Sequence, residues 1–303
     1  MSSTKDFIKL HFIVLIWGFT AILGLLISIN SVEIVFYRTF LAAVAMGVLL
    51  LIRKRNFKLG TKEVLKIFGT GFIIAAHWIL FFAAARVSTA SVCLAGIATC
   101  SLWTSFVEPL FNSRKIKIFE VILGLIVILG LYVIFRFQFD HALGLFMAVM
   151  SAFLAAVFSV INGKLTRNHS EYMITFYEML GACIGTVLFL PFYKYYFLNG
   201  ADLQLIPQGM DWVYLIILSM VCTVYAFSVS VELMKRISAF VVNLTINLEP
   251  VYGIVLAVLI FGEKEKMDPG FYFGTGIILL AVLIYPLVNK YYKRKALKMD
   301  NLR

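Results

Sequence analysis

Apolar stretches of about twenty residues alternate with short polar connections along the whole chain. A helix of that length crosses the hydrocarbon core of a bilayer, so each stretch predicts a membrane span. The longest connection, from Pro191 to Asp211, carries three tyrosines beside Lys194, and we expect it to lie as a loop at headgroup level. Ten spans are predicted, over residues 11–29, 32–52, 66–86, 89–111, 117–136, 142–162, 171–191, 212–234, 238–261 and 270–289.

The composition excludes a soluble enzyme. Apolar residues make up 62% of the 303 residues, charged residues make up 14%, and the mean hydropathy is +0.94. Soluble domains are about 45–50% apolar and about 25% charged. The same wealth of large apolar side chains excludes disorder. We therefore predict an all-α polytopic membrane protein with ten transmembrane helices.

The net charge of +11 reflects membrane orientation rather than nucleic-acid binding. With the N-terminus inside, the inner loops hold 21 of the 27 Lys and Arg residues and the outer loops hold 5. Because positive residues accumulate in cytoplasmic loops, both termini are predicted to be cytoplasmic, in a bacterial inner membrane. The basic C-terminal run from Lys290 to Lys298 anchors this topology and contacts anionic lipid.

The two halves of the chain are weakly similar to each other. A shift of 150 residues aligns the third to fifth spans with the eighth to tenth, placing Arg86 on Arg236 and Gly124 on Gly274, and a shift of 140 aligns the second span with the seventh. Each half has five spans, an odd number, so the halves are oppositely oriented. Such inverted repeats are typical of transporters that bind substrate near the midplane. We divide the chain into residues 1–136 and 137–303.

Several short motifs, in this order and spacing, resemble a known family. They are Ile16-Trp17-Gly18, Phe36-Tyr37-Arg38, Arg86-Val87-Ser88-Thr89-Ala90-Ser91, Asn247-Leu248-Glu249-Pro250 and Phe261-Gly262-Glu263-Lys264. The halves look like two EamA-type repeats of the drug/metabolite transporter superfamily. This resemblance implies a ten-helix secondary carrier and specifies no substrate. One position departs from the pattern, because Cys100 stands in the fourth span where Pro250 stands in the ninth.

The ninth predicted span carries the most polar face. Glu249 lies about ten residues into it, near the midplane, where a charge costs on the order of 3 kcal/mol. Pro250 removes a backbone donor and predicts a kink that acts as a hinge. Two readings remain open for Glu249, a substrate or proton site and a protonated carboxyl that holds the kink. The side chains that share its helix are further binding candidates: Asn243, Thr245, Asn247 and Tyr252.

Other polar residues within spans have similar alternatives. Arg38 is a candidate for holding a substrate carboxylate, but a snorkelling side chain or one paired with a carbonyl is the favoured reading. Glu178, its repeat counterpart, lies near the other surface, so a salt bridge between the two is not expected. His77 suits proton coupling or a structural hydrogen bond. Trp17 and Trp78 line the cavity or simply pack.

Small residues fill the fourth span, from Ser88 to Ser101. They permit close helix contact, and we expect this span to form a wall of the central cavity together with the third, eighth and ninth spans. Cysteines placed at Ala95 and Thr99 are then expected to react with water-soluble thiol reagents.

These observations predict a secondary transporter that moves a small polar metabolite, an amino acid or related compound, across the cytoplasmic membrane by alternating access, possibly as efflux. The alternatives are a channel, a structural membrane protein and, less favoured, an intramembrane enzyme. No HExxH, G-x-G-D or P-loop motif is present, so we predict a non-enzyme without a metal or cofactor. The expected partners are a small-molecule substrate and membrane lipids, not nucleic acid, and the sequence specifies no oligomeric state.

Overall fold

A computed structural model of the protein describes residues 3–54, 59–112, 118–137 and 139–300. Residues 55–58 and 113–117 belong to two of the basic loops counted above, so that part of the charge bias lies outside the described residues.

Every long regular element in the described ranges is a helix, and the predicted all-α polytopic fold with ten transmembrane helices in two inverted repeats is confirmed. Eight helices are long and apolar enough to cross a membrane, and shorter apolar stretches at Ile122–Ile134 and Pro269–Ala281 provide the fifth and tenth. The helices are α1 Thr4–Gly18 and α2 Thr20–Leu26 (first span), α3 Ser31–Ile52, α4 Thr61–Val87, α5 Ala90–Ile97 and α6 Cys100–Asn112 (fourth), α7 Ile118–Phe137, α8 Ala142–Leu165, α9 Glu171–Tyr196, α10 Asp211–Ile216 and α11 Ala226–Leu233 (eighth), α12 Ala239–Ile246 and α13 Glu249–Phe261 (ninth), and α14 Pro269–Asp300.

Hydroxyl side chains fix where several of these helices begin. The Ser3 hydroxyl accepts a hydrogen bond from the Asp6 N–H, and the Asp6 carboxylate accepts one from the Ser3 N–H, which forms a capping box. Thr89, Ser170 and Ser238 each accept a bond from the N–H three residues further on. These caps satisfy backbone donors that no membrane helix can leave exposed to lipid.

Glycines let pairs of helices touch backbone to backbone. A Cβ atom added at Gly71 on α4 would lie 2.3 Å from the Glu178 carbonyl oxygen on α9, and one at Gly181 would lie 2.2 Å from the Phe68 carbonyl oxygen. Small residues at such crossings replace the hydrophobic driving force, which is absent between helices in lipid. The third and seventh spans are therefore in direct backbone contact.

The polar side chains lie inside and the large apolar ones lie outside, as a membrane requires. Leu129, Leu188 and Leu259 are more than half exposed on the outer surface of the bundle. In contrast, Arg38, Glu178 and other charged side chains within the spans are buried. The buried polar groups therefore mark the interior surfaces on which a site can be built.

The long connection between the seventh and eighth spans starts later than predicted. Helix α9 continues through Pro191 to Tyr196, although the proline has no N–H to donate to the carbonyl four residues earlier. The Tyr37 hydroxyl donates to the Leu205 carbonyl and the Gln204 N–H donates to the Glu33 carboxylate over 3.2 Å, so the loop lies over the end of the second span.

Candidate functional site: a central polar cavity

A cavity of about 80 Å³ lies in the middle of the bundle. A water needs about 10–15 Å³ by this measure, so the cavity holds roughly six water-sized groups. Seven spans contribute to it: the first, second, third, fourth, sixth, eighth and ninth. Its polar lining consists of Thr20, Arg38, His77, Ser159, Asn162, Ser230, Asn243 and Glu249, and its aromatic lining of Trp17, Trp78, Phe81, Phe158 and Phe227.

Two of the spans that line this cavity are interrupted, so that each consists of two shorter helices that meet beside it. The ninth span breaks at Asn247 and Leu248, and α13 begins at Glu249 with Pro250 in its first turn. The fourth span breaks at the matching place, at Ala98 and Thr99, although it has no proline there. The 150-residue shift places Cys100, the first residue of α6, on Pro250. The repeat thus preserves the break even where the residue that explains it has changed.

Arg38 points into the cavity and is only 2% exposed. Its guanidinium carbon lies 3.8 Å from the centre of the Trp78 ring, and its Nε donates to the Thr223 hydroxyl over 2.7 Å. The favoured prediction, a snorkelling or carbonyl-paired arginine, is therefore wrong. Stacking on an indole holds the charge in place without neutralising it, and no carboxylate of the described residues lies within ion-pair distance.

A π-helical segment in the eighth span, Ile217–Tyr225, positions both Arg38 and Trp17. The Thr223 hydroxyl, which receives Arg38, itself donates to the Leu218 carbonyl five residues earlier, over 2.9 Å. The Trp17 indole N–H donates to the Cys222 carbonyl over 2.9 Å. π-Helical turns are frequent at functional sites. The apolar sequence of this span gives no sign of the wider turn.

Glu249 lines the same cavity as Arg38, and its side chain is buried. The Thr20 hydroxyl lies 3.4 Å from its Oε1, but it lies only 2.6 Å from the Trp17 carbonyl. One hydroxyl hydrogen cannot serve both acceptors well, so the carboxyl keeps most of its hydrogen-bonding capacity free. Arg38 and Glu249 form no salt bridge with each other among the described residues. The cavity therefore holds one basic and one acidic group that are not paired.

His77 faces the cavity with one side of its ring. Its Nδ1 lies 2.9 Å from the Ser151 carbonyl oxygen, and the Ser151 hydroxyl donates to the His77 carbonyl over 2.9 Å. The Ser151 hydroxyl oxygen also lies 2.8 Å from Nδ1. When Nδ1 carries the hydrogen it donates to the carbonyl, which only accepts, and Nε2 of the neutral ring is then an acceptor. The ring packs against Phe158, with centroids 5.3 Å apart.

The other ninth-span candidates separate at the helix break. Asn243 lines the cavity and donates to the Thr104 hydroxyl over 2.8 Å. Thr245, Asn247 and Tyr252 do not line it. Asn247 donates to the Ser101 hydroxyl over 2.6 Å, Thr245 bonds to the Val241 carbonyl over 3.0 Å, and Tyr252 packs against the first span beside Gly18. The spacing rule for one continuous helix fails here because two half-helices meet between these residues.

The fourth span contributes different residues from those predicted. Ala95 and Thr99 are fully buried in helix packing, and the Thr99 hydroxyl donates to the Gly96 carbonyl over 2.8 Å. Ile97 and Cys100 line the cavity in their place. The expectation that Ala95 and Thr99 form the wall is wrong because the break turns the helix between them.

Glu178 does not reach the cavity. It lies behind Asn162, whose amide nitrogen is 3.4 Å from its Oε2, and no salt bridge joins it to Arg38. Asn162 was not among the predicted residues, nor were Ser159, Ser230, Phe158, Phe227 or Met234. The sequence Asn162-Gly163-Lys164, polar within an otherwise apolar span, was the available signal for the first of these.

The two ends of the cavity differ. On the side away from the termini, the Glu265 carboxylate accepts the Ala90 and Ser91 N–H groups, each over 2.9 Å, and Arg86 donates to the Ile27 carbonyl over 2.8 Å. On the side of the termini, a second cavity of about 440 Å³ adjoins the first at Met234. We call this second cavity the vestibule. Its lining is Glu108, Val160, Gly163, Lys164, Thr166, Arg167, Met234, Lys235, Arg236, Ile237, Ser238 and Ala239.

Comparison with known proteins agrees with this architecture. The model of the EamA-like transporter family matches twice, at residues 8–136 and 142–285. A solved chain described only as "Crystal structure of protein" is 15% identical, with a TM-score of 0.68 over 95% of this chain and 99% of its own length. At that identity the likeness shows the fold alone. No curated protein matches.

Proposed function

Because the chain belongs to the EamA-like transporter family, we propose that it is a secondary carrier for a small zwitterionic metabolite, an amino acid or a close relative. The observation that carries this proposal is the pair of opposite charges, Arg38 and Glu249, which face one cavity without forming an ion pair. The protein is then an integral protein of the bacterial inner membrane with both termini in the cytoplasm.

A zwitterion fits the charges of the cavity. Buried charges without partners cost several kcal/mol each, and a ligand that carries both signs compensates both at once. The substrate carboxylate binds the Arg38 guanidinium, which offers a planar fork of donors, and the ammonium group binds Glu249. A free acid or a simple amine compensates only one of the two.

The walls set the size of the substrate. Room for roughly six water-sized groups accommodates the backbone atoms of an amino acid with a short side chain. A longer side chain packs against Phe158 and Phe227, whose ring centroids lie 6.1 Å apart, or displaces Met234 toward the vestibule. Recognition of the side chain is therefore apolar, while recognition of the backbone is ionic.

Alternating access supplies the movement. The present arrangement is closed at Glu265 and Arg86 and adjoins the vestibule at Met234, which corresponds to an inward-facing state. Rocking of the two repeats breaks the outer contacts and closes the vestibule. The direction of net flux, efflux or uptake, follows from the gradients.

The test is exchange of radiolabelled amino acids by the purified protein in proteoliposomes. Arg38→Gln and Glu249→Gln should each reduce exchange by about 30-fold or more, because an unpaired charge is left in the site. Thr245→Val, on the same span but outside the cavity, should exchange normally. No exchange of any amino acid by the wild-type protein, or normal exchange by both charge variants, would overturn the proposal.

A further inference from the structure

A second polar pair lies directly behind the cavity wall and takes no part in the charge pairing described above. Glu178 on α9 and Asn162 on α8 are both fully buried. The Asn162 Nδ2 atom lies 3.4 Å from the Glu178 Oε2 atom. The other two oxygens of the pair, Glu178 Oε1 and Asn162 Oδ1, have no hydrogen-bond partner among the described residues.

These two unpartnered oxygens show that the pair lacks a hydrogen-bond donor. A carboxylate has only acceptors, and the Asn162 carbonyl is also an acceptor, so the ionised pair has one hydrogen bond from the amide and two further acceptors without a donor. A single proton on Oε1 turns these two acceptors into an O–H donor and an acceptor. The carboxylic acid and the amide then form two parallel hydrogen bonds, which satisfy all four atoms.

We propose that Glu178 and Asn162 form a proton-binding site in which the proton completes a carboxylic acid–amide pair. Because Asn162 also lines the central cavity, its amide is held in one orientation when the proton is bound and is released when the proton leaves. The site thus connects protonation to the shape of the cavity. Its role as the coupling-proton site rests on the carrier function proposed above.

The packing around Glu178 excludes a nearby counterion. Gly71 of α4 lies against the Glu178 backbone and Gly47 of α3 lies against Phe176, which fixes the level of each neighbouring helix. On the helices packed against this point, the nearest charged and titratable side chains lie four or more residues along from the contact, except Lys164, which is exposed and donates to the Phe111 carbonyl. The nearest on each helix are Arg53 at the end of α3, Lys66 and His77 on α4, Lys164 on α8 and Glu232 on α11.

A proton is the ligand that this environment favours. None of the salt bridges among the described residues includes Glu178, so no cation there takes the place of the proton by direct contact with the carboxyl. A buried carboxylate without a cation costs several kcal/mol, whereas the neutral acid paired with an amide costs little. A water in the same place would supply hydrogen bonds but would leave the carboxyl ionised, and this difference can be measured.

The experiment is a pH titration of the purified protein by difference infrared spectroscopy. The wild-type protein should show a carboxylic acid C=O stretch at neutral pH that disappears as the pH is raised. Glu178→Gln should remove that band, since the Gln amide keeps the paired shape but has no proton to lose. Glu249→Gln, the matched control at another buried carboxyl of the spans, should leave the Glu178 contribution to it. Asn162→Ala should shift the band to higher frequency by removing its hydrogen bonds.

Coupling is tested separately in proteoliposomes with a mixture of radiolabelled amino acids. Glu178→Gln should keep amino acid exchange but reduce accumulation driven by a pH gradient by about 5- to 150-fold, the usual range of coupling between two sites. A neutral-pH acid band that is as strong in Glu178→Gln as in the wild type, or no such band in the wild type, overturns the proton site. Unchanged gradient-driven accumulation overturns the coupling role. The infrared result stands even if no amino acid is transported, so the two proposals fail independently.

Discussion

The outer closure depends on one buried carboxylate, and its removal should open the cavity to the outside. Glu265 is 3% exposed and lies in the turn after α13, where its two oxygens each accept one N–H at the start of α5. Replacement by Gln keeps the shape but leaves one acceptor oxygen. The second N–H then faces an NH2 group, which cannot accept.

The magnitude follows from these two bonds. Hydrogen bonds to a charged group contribute about 1.5–3 kcal/mol each, and a neutral one contributes about 0.5–1.5 kcal/mol. Glu265→Gln therefore weakens the closed state by about 3 kcal/mol, which changes the ratio of closed to open molecules by roughly 100-fold. A protein that is almost entirely closed on the outside becomes open in a large fraction of molecules.

Cys100 is a built-in probe for this change, because it is buried and lines the cavity. In a protein whose other three cysteines, Cys93, Cys183 and Cys222, are replaced by Ala, a membrane-impermeant thiol reagent added outside should label Cys100 faster in Glu265→Gln, by up to about 100-fold.

The matched control is Glu263→Gln, in the same turn. Glu263 is largely exposed, and its one ion pair among the described residues is with Lys266, whose Nζ lies 2.6 Å from it and whose pKa is raised by that hydrogen bond. Its replacement should leave Cys100 unlabelled from outside. Equal labelling in both variants, or no increase in Glu265→Gln with the protein folded, would refute the assignment of Glu265 to the outer closure.

Three further predictions concern packing, lining and topology. Gly71→Ala should destabilise the protein by about 1–3 kcal/mol and lower its unfolding temperature in detergent, because the new Cβ meets the α9 backbone. Gly69→Ala, with open space around the new Cβ, should leave the unfolding temperature unchanged. Equal effects of the two variants would contradict the close contact of α4 with α9. Cysteines at Ala95 or Thr99 should not react with a thiol reagent added from the vestibule side, whereas Cys100 should react, and substrate should slow its reaction. A reactive Ala95→Cys together with an inert Cys100 would show that other residues of the fourth span line the cavity. Alkaline phosphatase fused after Arg303 should be inactive, and an active fusion would place the C-terminus outside.

The sequence predicted the membrane spans around this site better than the residues that line it. Hydropathy places the spans within a few residues, and Glu249 followed by Pro250 predicts the break in the ninth span, since charge and proline each act locally. The break at Ala98 and Thr99 has no such local cause and follows only from the repeat. The π-helical turn at Ile217–Tyr225 arises from tertiary contacts of Thr223 and Cys222, which no periodicity records.

Long-range partners were likewise beyond the reach of the sequence. Glu265 lies in a short polar turn and looks like a solvated residue until α5 is placed above it. Arg38 was expected to snorkel because its depth suggests a route to the surface, but Trp78 and Thr223 offer a nearer partner inside. The missed role of Glu265 and the wrong expectation for Arg38 have the same origin, since the neighbour that decides the outcome is more than 30 residues away in the chain.

The most direct test of the central claim is binding of one amino acid and two of its analogues, measured by calorimetry. The analogues are the amide, which lacks the carboxylate, and the deaminated acid, which lacks the ammonium group. The wild-type protein should bind the amino acid at least about 30-fold more tightly than either analogue, since each leaves one buried charge unpaired at a cost of about 2–5 kcal/mol. Arg38→Gln should abolish only the preference over the amide, and Glu249→Gln only the preference over the acid. Equal binding of all three ligands by the wild type, or preferences that neither variant changes, would contradict a zwitterion held between Arg38 and Glu249.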